Sequence, residues 1–145
     1  MRAVIQRVTK GQVTIDARVA ASIGSGFVIL LGVEKTDTQD KADMMARKIS
    51  NLRVFSDDAG KMNLSISDIK GKAIVVSQFT LMADTRKGNR PSFIDAALPE
   101  IASPLVDYFI EAFSKLGIET QSGEFGADML VEIHNDGPVT ILLDF

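Results

Sequence analysis

Seven consecutive residues, Phe27-Val28-Ile29-Leu30-Leu31-Gly32-Val33, carry no polar side chain. Successive side chains of a strand point to opposite faces, so a run of this kind is buried on both sides. The chain must therefore build a layered domain with something packed above and below this strand. The run is far short of the roughly 20 apolar residues that a membrane-spanning helix needs. The opening Met1-Arg2-Ala3-Val4-Ile5 is soon broken by Gln6 and Arg7 and lacks the form of a signal peptide. A soluble, cytoplasmic protein is the expectation.

The neighbouring patterns suggest what the layers are. Ala3 and Ile5, then Val13 and Ile15, then Val19, Ala21 and Ile23 are spaced by two, as in half-buried strands. Asp16-Ala17 fits a hairpin turn, and Gly24-Ser25-Gly26 another turn. Ala42, Met45, Ile49 and Leu52 follow helical spacing, which predicts a helix near 38–51, with Thr36-x-x-Gln39 as its capping box. Arg53 to Gly71 is mixed and carries turn signals at 57–60 and 68–71. Lys72 to Phe79 reads as a strand. Leu105, Tyr108, Phe109, Ala112, Phe113 and Leu116 form a helical stripe. Ser103-Pro104 suits its start, or a turn within a longer start, and Gly117 suits its end. Strands are expected at 118–120, 129–133 and 139–143. At 145 residues with no linker or repeat, residues 1–145 read as a single α+β domain, mostly antiparallel, with about two main helices.

Composition removes most chemistries. Hydrophobic residues are 46% of the chain, too many for a disordered segment. The absence of cysteine removes disulfides, thiolate metal sites and thiol nucleophiles. The net charge of −3 excludes a generally basic nucleic-acid coat, though not a local patch. There is one histidine, His134, so a zinc hydrolase has too few ligands and a Ser-His-Asp triad only one possible imidazole. His134 reads more simply as a packed or hydrogen-bonded strand residue. No metal or cofactor is suggested.

Four segments remain. Ser77-Gln78-Phe79-Thr80 ends an apolar strand; Ser77 and Thr80 are weak nucleophiles without an adjacent base, and Gln78 can orient a substrate. Asn135-Asp136-Gly137-Pro138-Val139-Thr140 reads either as an Asp-Gly hairpin turn or as a Gly-Pro pair whose carbonyls form a wall. Arg86-Lys87-Gly88-Asn89-Arg90-Pro91-Ser92-Phe93 is a polar loop with three cations that suit phosphates. Gly123-Glu124-Phe125-Gly126-Ala127-Asp128-Met129 places Phe125 and Met129 beside a pocket or in the core.

Together with the opening Met1-Arg2-Ala3-Val4-Ile5-Gln6-Arg7-Val8, these four segments resemble the D-aminoacyl-tRNA deacylase family in order and spacing across almost the whole chain. The resemblance implies an esterase that cleaves D-amino acids, and misattached glycine, from tRNA. It implies a homodimer with sheets packed across the interface, no membrane and no DNA partner. It places a catalytic segment at Ser77, Gln78, Phe79 and Thr80, with Phe125 and Met129 beside it. Gly137 and Pro138, joined by a cis bond, would reach into the partner's pocket and crowd an L side chain. Arg86, Lys87 and Arg90 would meet the tRNA. The terminal 2′-hydroxyl would help activate water, with backbone N–H groups near Phe79 and Thr80 stabilising developing charge. Two alternatives stay open: a non-catalytic tRNA-binding or editing-associated module, and an esterase with Thr80 as nucleophile.

Overall fold

The computed structural model describes residues 1–145. Its first strand, β1 (Arg2–Ile15), is the spine. Along one edge it pairs antiparallel with β8 (Leu130–Asp144). Along the other it pairs antiparallel with β3 (Gly26–Gly32) over its first half and with β2 (Arg18–Ile23) over its second. Beyond β3 come β6 (Lys72–Ser77) and β7 (Thr120–Ser122), both added in parallel. The Ser22 N–H donates to Gln121 Oε1 (2.8 Å), which ties β2 back to β7 and brings the six-stranded sheet close to a closed barrel.

The sheet is therefore mixed, not mostly antiparallel. Parallel neighbours need long crossover connections. Here α1 (Gln39–Ser50), with the small hairpin of β4 (Phe55–Ser56) and β5 (Met62–Leu64), joins β3 to β6. The helix α2 (Pro99–Lys115) joins β6 to β7. No helix is long and apolar enough to cross a membrane.

β3 is covered on both faces, as its sequence requires. Phe27, Ile29 and Leu31 enter the larger core, with Met45 and Ile49 of α1 and Phe109 and Phe113 of α2. Val28 enters a smaller core on the opposite face, with Val8, Val13, Ile23, Ile74 and Val76. β6 alternates in the same way: Ala73 and Val75 face one core, Ile74 and Val76 the other. Burial of this kind contributes roughly 25 cal/mol per Å² of apolar surface.

Four local expectations shift. α1 is capped by Thr38, not Thr36, because Asp37 is drawn inward to accept from the Met1 amine (2.6 Å) and the Glu34 N–H (2.6 Å). α2 starts at Pro99 and not at Ser103, so of the two readings the longer start holds and Pro104 lies inside the helix; the carbonyl of Glu100, four residues back, loses its N–H partner on an exposed face where water serves. The strand expected at 118–120 begins at Thr120, with Ile118 buried ahead of it. His134 is neither packed nor hydrogen-bonded; it is an exposed residue of β8 opposite Lys10.

The largest departure is at 135–140. No hairpin turn forms there. The two strands expected at 129–133 and 139–143 are one strand, β8, carrying a bulge. Between Gln6 and Val8 the partner strand advances two residues, while β8 runs from Thr140 back to Asn135. The surplus residues leave the ladder and project outward.

Candidate active site

β6 ends at Ser77, and the chain then breaks into a 3₁₀ turn, Phe79–Met82. Phe79 thus lies on a turn and not at the end of a strand. The Gln78 N–H still donates to the Leu31 carbonyl (2.8 Å), which anchors the turn to β3. The first bond of the turn runs from Leu81 N–H to the Gln78 carbonyl (3.1 Å). The N–H groups of Phe79 and Thr80 precede it, so the turn does not consume them; the first amides of any helix are free in this way. The Thr80 hydroxyl accepts from the Gln78 side-chain amide.

Beside this turn lies a cavity of about 560 Å³. Ser77, Gln78 and Phe79 form one end, and Phe125 and Met129 line another wall. Three of the four residues expected at the catalytic segment and both expected pocket residues thus meet at one cavity. Thr80 does not line it. The sequence analysis missed the remaining wall, Ala97, Pro99, Ala102 and Val106 at the start of α2. The four-residue spacing of Ala102 and Val106 signalled a helix face, but small apolar residues facing a cavity look like small apolar residues facing a core.

The cavity wall is apolar, with Asp128 as its one ionisable side chain. Asp128 is exposed and hydrogen-bonds to neither Ser77 nor Thr80. His134 does not line the cavity. No hydroxyl at the site therefore has a base bonded to it.

Gly137 and Pro138 do not line the cavity of their own chain. They sit exposed at the tip of the β8 bulge, and their peptide bond is cis. The base of the bulge is closed by two bonds of Asn135: its Oδ1 accepts from Val139 N–H (3.1 Å), and its Nδ2 donates to Thr140 Oγ1 (2.8 Å). Arg7 braces it from beneath. Its buried guanidinium donates to the Asp136 carbonyl (3.2 Å), lies 3.0 Å from the Asp136 carboxylate, and also donates to the Val54 carbonyl. Gly137 has φ +119°, and a Cβ there would stand 2.8 Å from Arg7 Nη2. Only glycine fits this backbone against that guanidinium.

The three cations of the loop after the turn are not equivalent. Arg86 is clamped by Asp84, with Nε to Oδ1 at 2.9 Å and Nη2 to Oδ2 at 2.7 Å. That guanidinium, with the Arg86 backbone N–H, holds the Asp84 carboxyl down to about 2. Lys87 and Arg90 are exposed and make no ion pair.

A near-closed mixed barrel, a strand end breaking into a 3₁₀ turn over an apolar cavity, and a braced Gly-Pro bulge define a small α+β domain with one cavity site and no side-chain triad. Comparison with known proteins gives the family. The model of the D-Tyr-tRNA(Tyr) deacylase family matches residues 4–144. A D-aminoacyl-tRNA deacylase of Roseiflexus castenholzii is 59% identical over 144 residues, covering 99% of this chain and 92% of that protein. One from Porphyromonas gingivalis is 55% identical over 145 residues, covering 99% and 97%. A solved structure of a c-Myc DNA unwinding element binding protein superposes with a TM-score of 0.94 at 43% identity, covering 100% of this chain and 99% of that one. A probable eukaryotic D-amino acid tRNA deacylase shares the fold at 14% identity, with a TM-score of 0.86 and coverage of 99% and 98%. The chain belongs to the D-aminoacyl-tRNA deacylase family, the ester hydrolases of tRNA proofreading.

Proposed function

We propose that this chain, as a cytoplasmic homodimer, releases D-amino acids and glycine from tRNA by positioning the ester and not by a protein nucleophile. The observation that carries the reading is the composition of the cavity end. Ser77, Gln78 and Phe79 face it, the Phe79 and Thr80 amides are not consumed by their own turn, and no base touches a hydroxyl. An aminoacyl ester is already activated, and its neighbouring ribose 2′-hydroxyl can help deliver water. What remains for the protein is orientation and fixed donors for developing negative charge, which together supply several kcal/mol, on the order of 7–11 from orientation alone in favourable cases.

Chiral choice is assigned to Gly137 and Pro138 of the partner subunit. Their exposure at the tip of a braced bulge, away from their own cavity, supports that role. Carbonyls there hold the amino group and crowd an L side chain, while a D side chain points out. Glycine has nothing to clash, so it is cleaved too. Lys87 and Arg90 are assigned to tRNA phosphates. Two exposed, unpaired cations three residues apart on the loop that follows the turn suit contact with phosphates next to the site.

The test uses D-tyrosyl-, L-tyrosyl- and glycyl-tRNA, each also made with a terminal 2′-deoxyribose. The expected result is rapid release of the D and glycyl forms, survival of the L form, and at least about a hundredfold loss with the 2′-deoxy substrate. Thr80→Ala and Asp128→Asn are expected to keep activity within about threefold, since neither acts as nucleophile or base. Abolition by Thr80→Ala would replace this mechanism with covalent catalysis. Binding of tRNA without release of any amino acid would leave a non-catalytic module.

A further inference from the structure

The 3₁₀ turn that presents the Phe79 and Thr80 amides has an unsatisfied end. In a 3₁₀ turn each carbonyl accepts from the N–H three residues on. The Thr80 carbonyl accepts from Ala83 N–H (3.1 Å) in this way. The next partner would be Asp84 N–H for the Leu81 carbonyl. But Asp84 N–H is committed elsewhere, to the Ser92 carbonyl (2.8 Å), where it closes the cationic loop. The Leu81 carbonyl is thereby left open.

Arg2 fills the gap. Its Nη1 donates to the Leu81 carbonyl at 2.6 Å. The rest of the guanidinium is pinned by Asp144 of β8, with Nε at 3.0 Å and Nη2 at 2.6 Å from Oδ2. Arg2 and Asp144 face each other across the β1–β8 ladder. On the other side of β1, Arg2 pairs with Gly32 of β3. A Cβ at Gly32 would stand 3.0 Å from the Gln78 carbonyl, 2.9 Å from Met82 Cε and 3.1 Å from Leu81 Cβ. The turn thus rests on the bare backbone of Gly32 while Arg2 grips its far end.

We propose that Arg2, anchored by Asp144, is a positioning residue of the site: it completes the 3₁₀ turn at Leu81 and so fixes the direction of the Phe79 and Thr80 amides. Neither Arg2 nor Leu81 lines the cavity. The effect of Arg2 is on geometry, and displacement of a donor by about 1 Å can cost on the order of a hundredfold in rate. The catalytic consequence rests on the deacylase reading above; the structural one does not.

The experiment pairs two readouts on the full chain. The first is steady-state cleavage of D-tyrosyl-tRNA by wild type, Arg2→Ala, Arg2→Lys and Asp144→Asn. The second is amide hydrogen exchange in the free protein at Leu81 and Ala83, whose N–H groups make the bonds of the turn to the Gln78 and Thr80 carbonyls. Arg2→Ala is expected to lower kcat about tenfold with KM within twofold, and to speed exchange at both amides. Arg2→Lys, which still offers one donor, recovers most of the loss. Asp144→Asn, which leaves Arg2 in place but loosens its anchor, lowers kcat about twofold to threefold. If Arg2→Ala fails to fold, the Lys and Asn variants decide. Wild-type kcat and wild-type exchange in the folded variants overturn the proposal. If wild type itself leaves the ester intact, the deacylase reading falls, and amide exchange still decides whether Arg2 holds the turn.

Discussion

Arg86 shows how a residue's chemistry depends on a neighbour that its motif does not include. In the sequence it is the first of three cations in a short loop, equal to Lys87 and Arg90. In the structure its charge is matched by Asp84, whose carboxyl is held down at about 2 by the Arg86 side chain and backbone N–H. A group depressed in this way keeps its charge at every pH above its folded value, so the clamp opens only as pH falls towards 2. Under any assay condition near neutrality, Arg86 is paired. Asp84→Asn would remove the opposing charge and the bond to Nη2 while keeping the Oδ1 that accepts from Arg86 N–H (3.0 Å) and Nε (2.9 Å). The expected outcome is tighter tRNA capture at low salt, with the slope of log affinity against log salt steeper by about one. An unchanged slope would mean that Arg86 faces no phosphate. The loop's polarity was legible in the sequence; the pairing was not, because Asp84 lies outside the cationic run.

At the scale of elements, periodicity reported burial well and connectivity poorly. The both-sided burial of β3 followed from the absence of polar residues at 27–33, and the stripes of α1 and α2 gave helices at nearly the right places. The bulge in β8 was misread because Asn-Asp-Gly between apolar runs is also how a hairpin turn is written. What distinguishes the two is the partner: a 14-residue β1 lying opposite keeps both halves of β8 in one ladder, and sequence spacing cannot show that. The bulge is held by Asn135 at its base and Arg7 beneath it, so its shape is set by side chains and not by the turn residues alone. Asn135→Ala removes two of these bonds. Its expected cost is about 1–2 kcal/mol of stability, read from thermal unfolding. Because the same bonds aim Gly137 and Pro138, the ratio of D- to L-tyrosyl-tRNA cleavage is expected to fall by at least about fivefold. A stable variant with unchanged discrimination would separate the bulge from chiral choice.

The two ends of the chain meet at one buried charge. The Met1 amine donates to Asp37 (2.6 Å) and to the Phe145 carbonyl (2.6 Å), and Lys41 Nζ also reaches Asp37 (3.0 Å). Burial pushes the Asp37 carboxyl up, but hydrogen bonds from the Met1 amine, the Glu34 N–H and Lys41 outweigh it, and it stays below the ordinary carboxylate value. A depressed folded value means that Asp37 supports the fold above its unfolded value near 3.8 and that this support is lost as pH falls through the folded value. Asp37→Asn is therefore expected to lower the melting temperature at pH 7 and to flatten the fall in stability below pH 4. A variant as acid-sensitive as wild type would move the effect elsewhere.

The proposed role of Gly137 and Pro138 sets a requirement on quaternary structure, because they do not line the cavity of their own chain. The cavity is bounded by β3, β6, the start of α2 and the segment from Phe125 to Val131 that leads into β8, whereas Gly137 and Pro138 stand exposed further along β8. β8 pairs with β1 alone, so its other edge is open over 15 residues, and the same strand exposes Leu130 (66%) and Leu142 (61%). An open, partly apolar edge of this length is a surface that natural chains cover. A second copy would cover it symmetrically, and the proposed function requires that it also bring each bulge to the other's cavity. The expected sedimenting mass is twice the 15.7 kDa of the chain. On dilution, D-specific cleavage per chain should hold constant and then fall at the concentration where that mass halves. A monomer that keeps full activity and full preference for the D ester would show that each chain carries its own filter, and the assignment of Gly137 and Pro138 to the partner's site would be withdrawn.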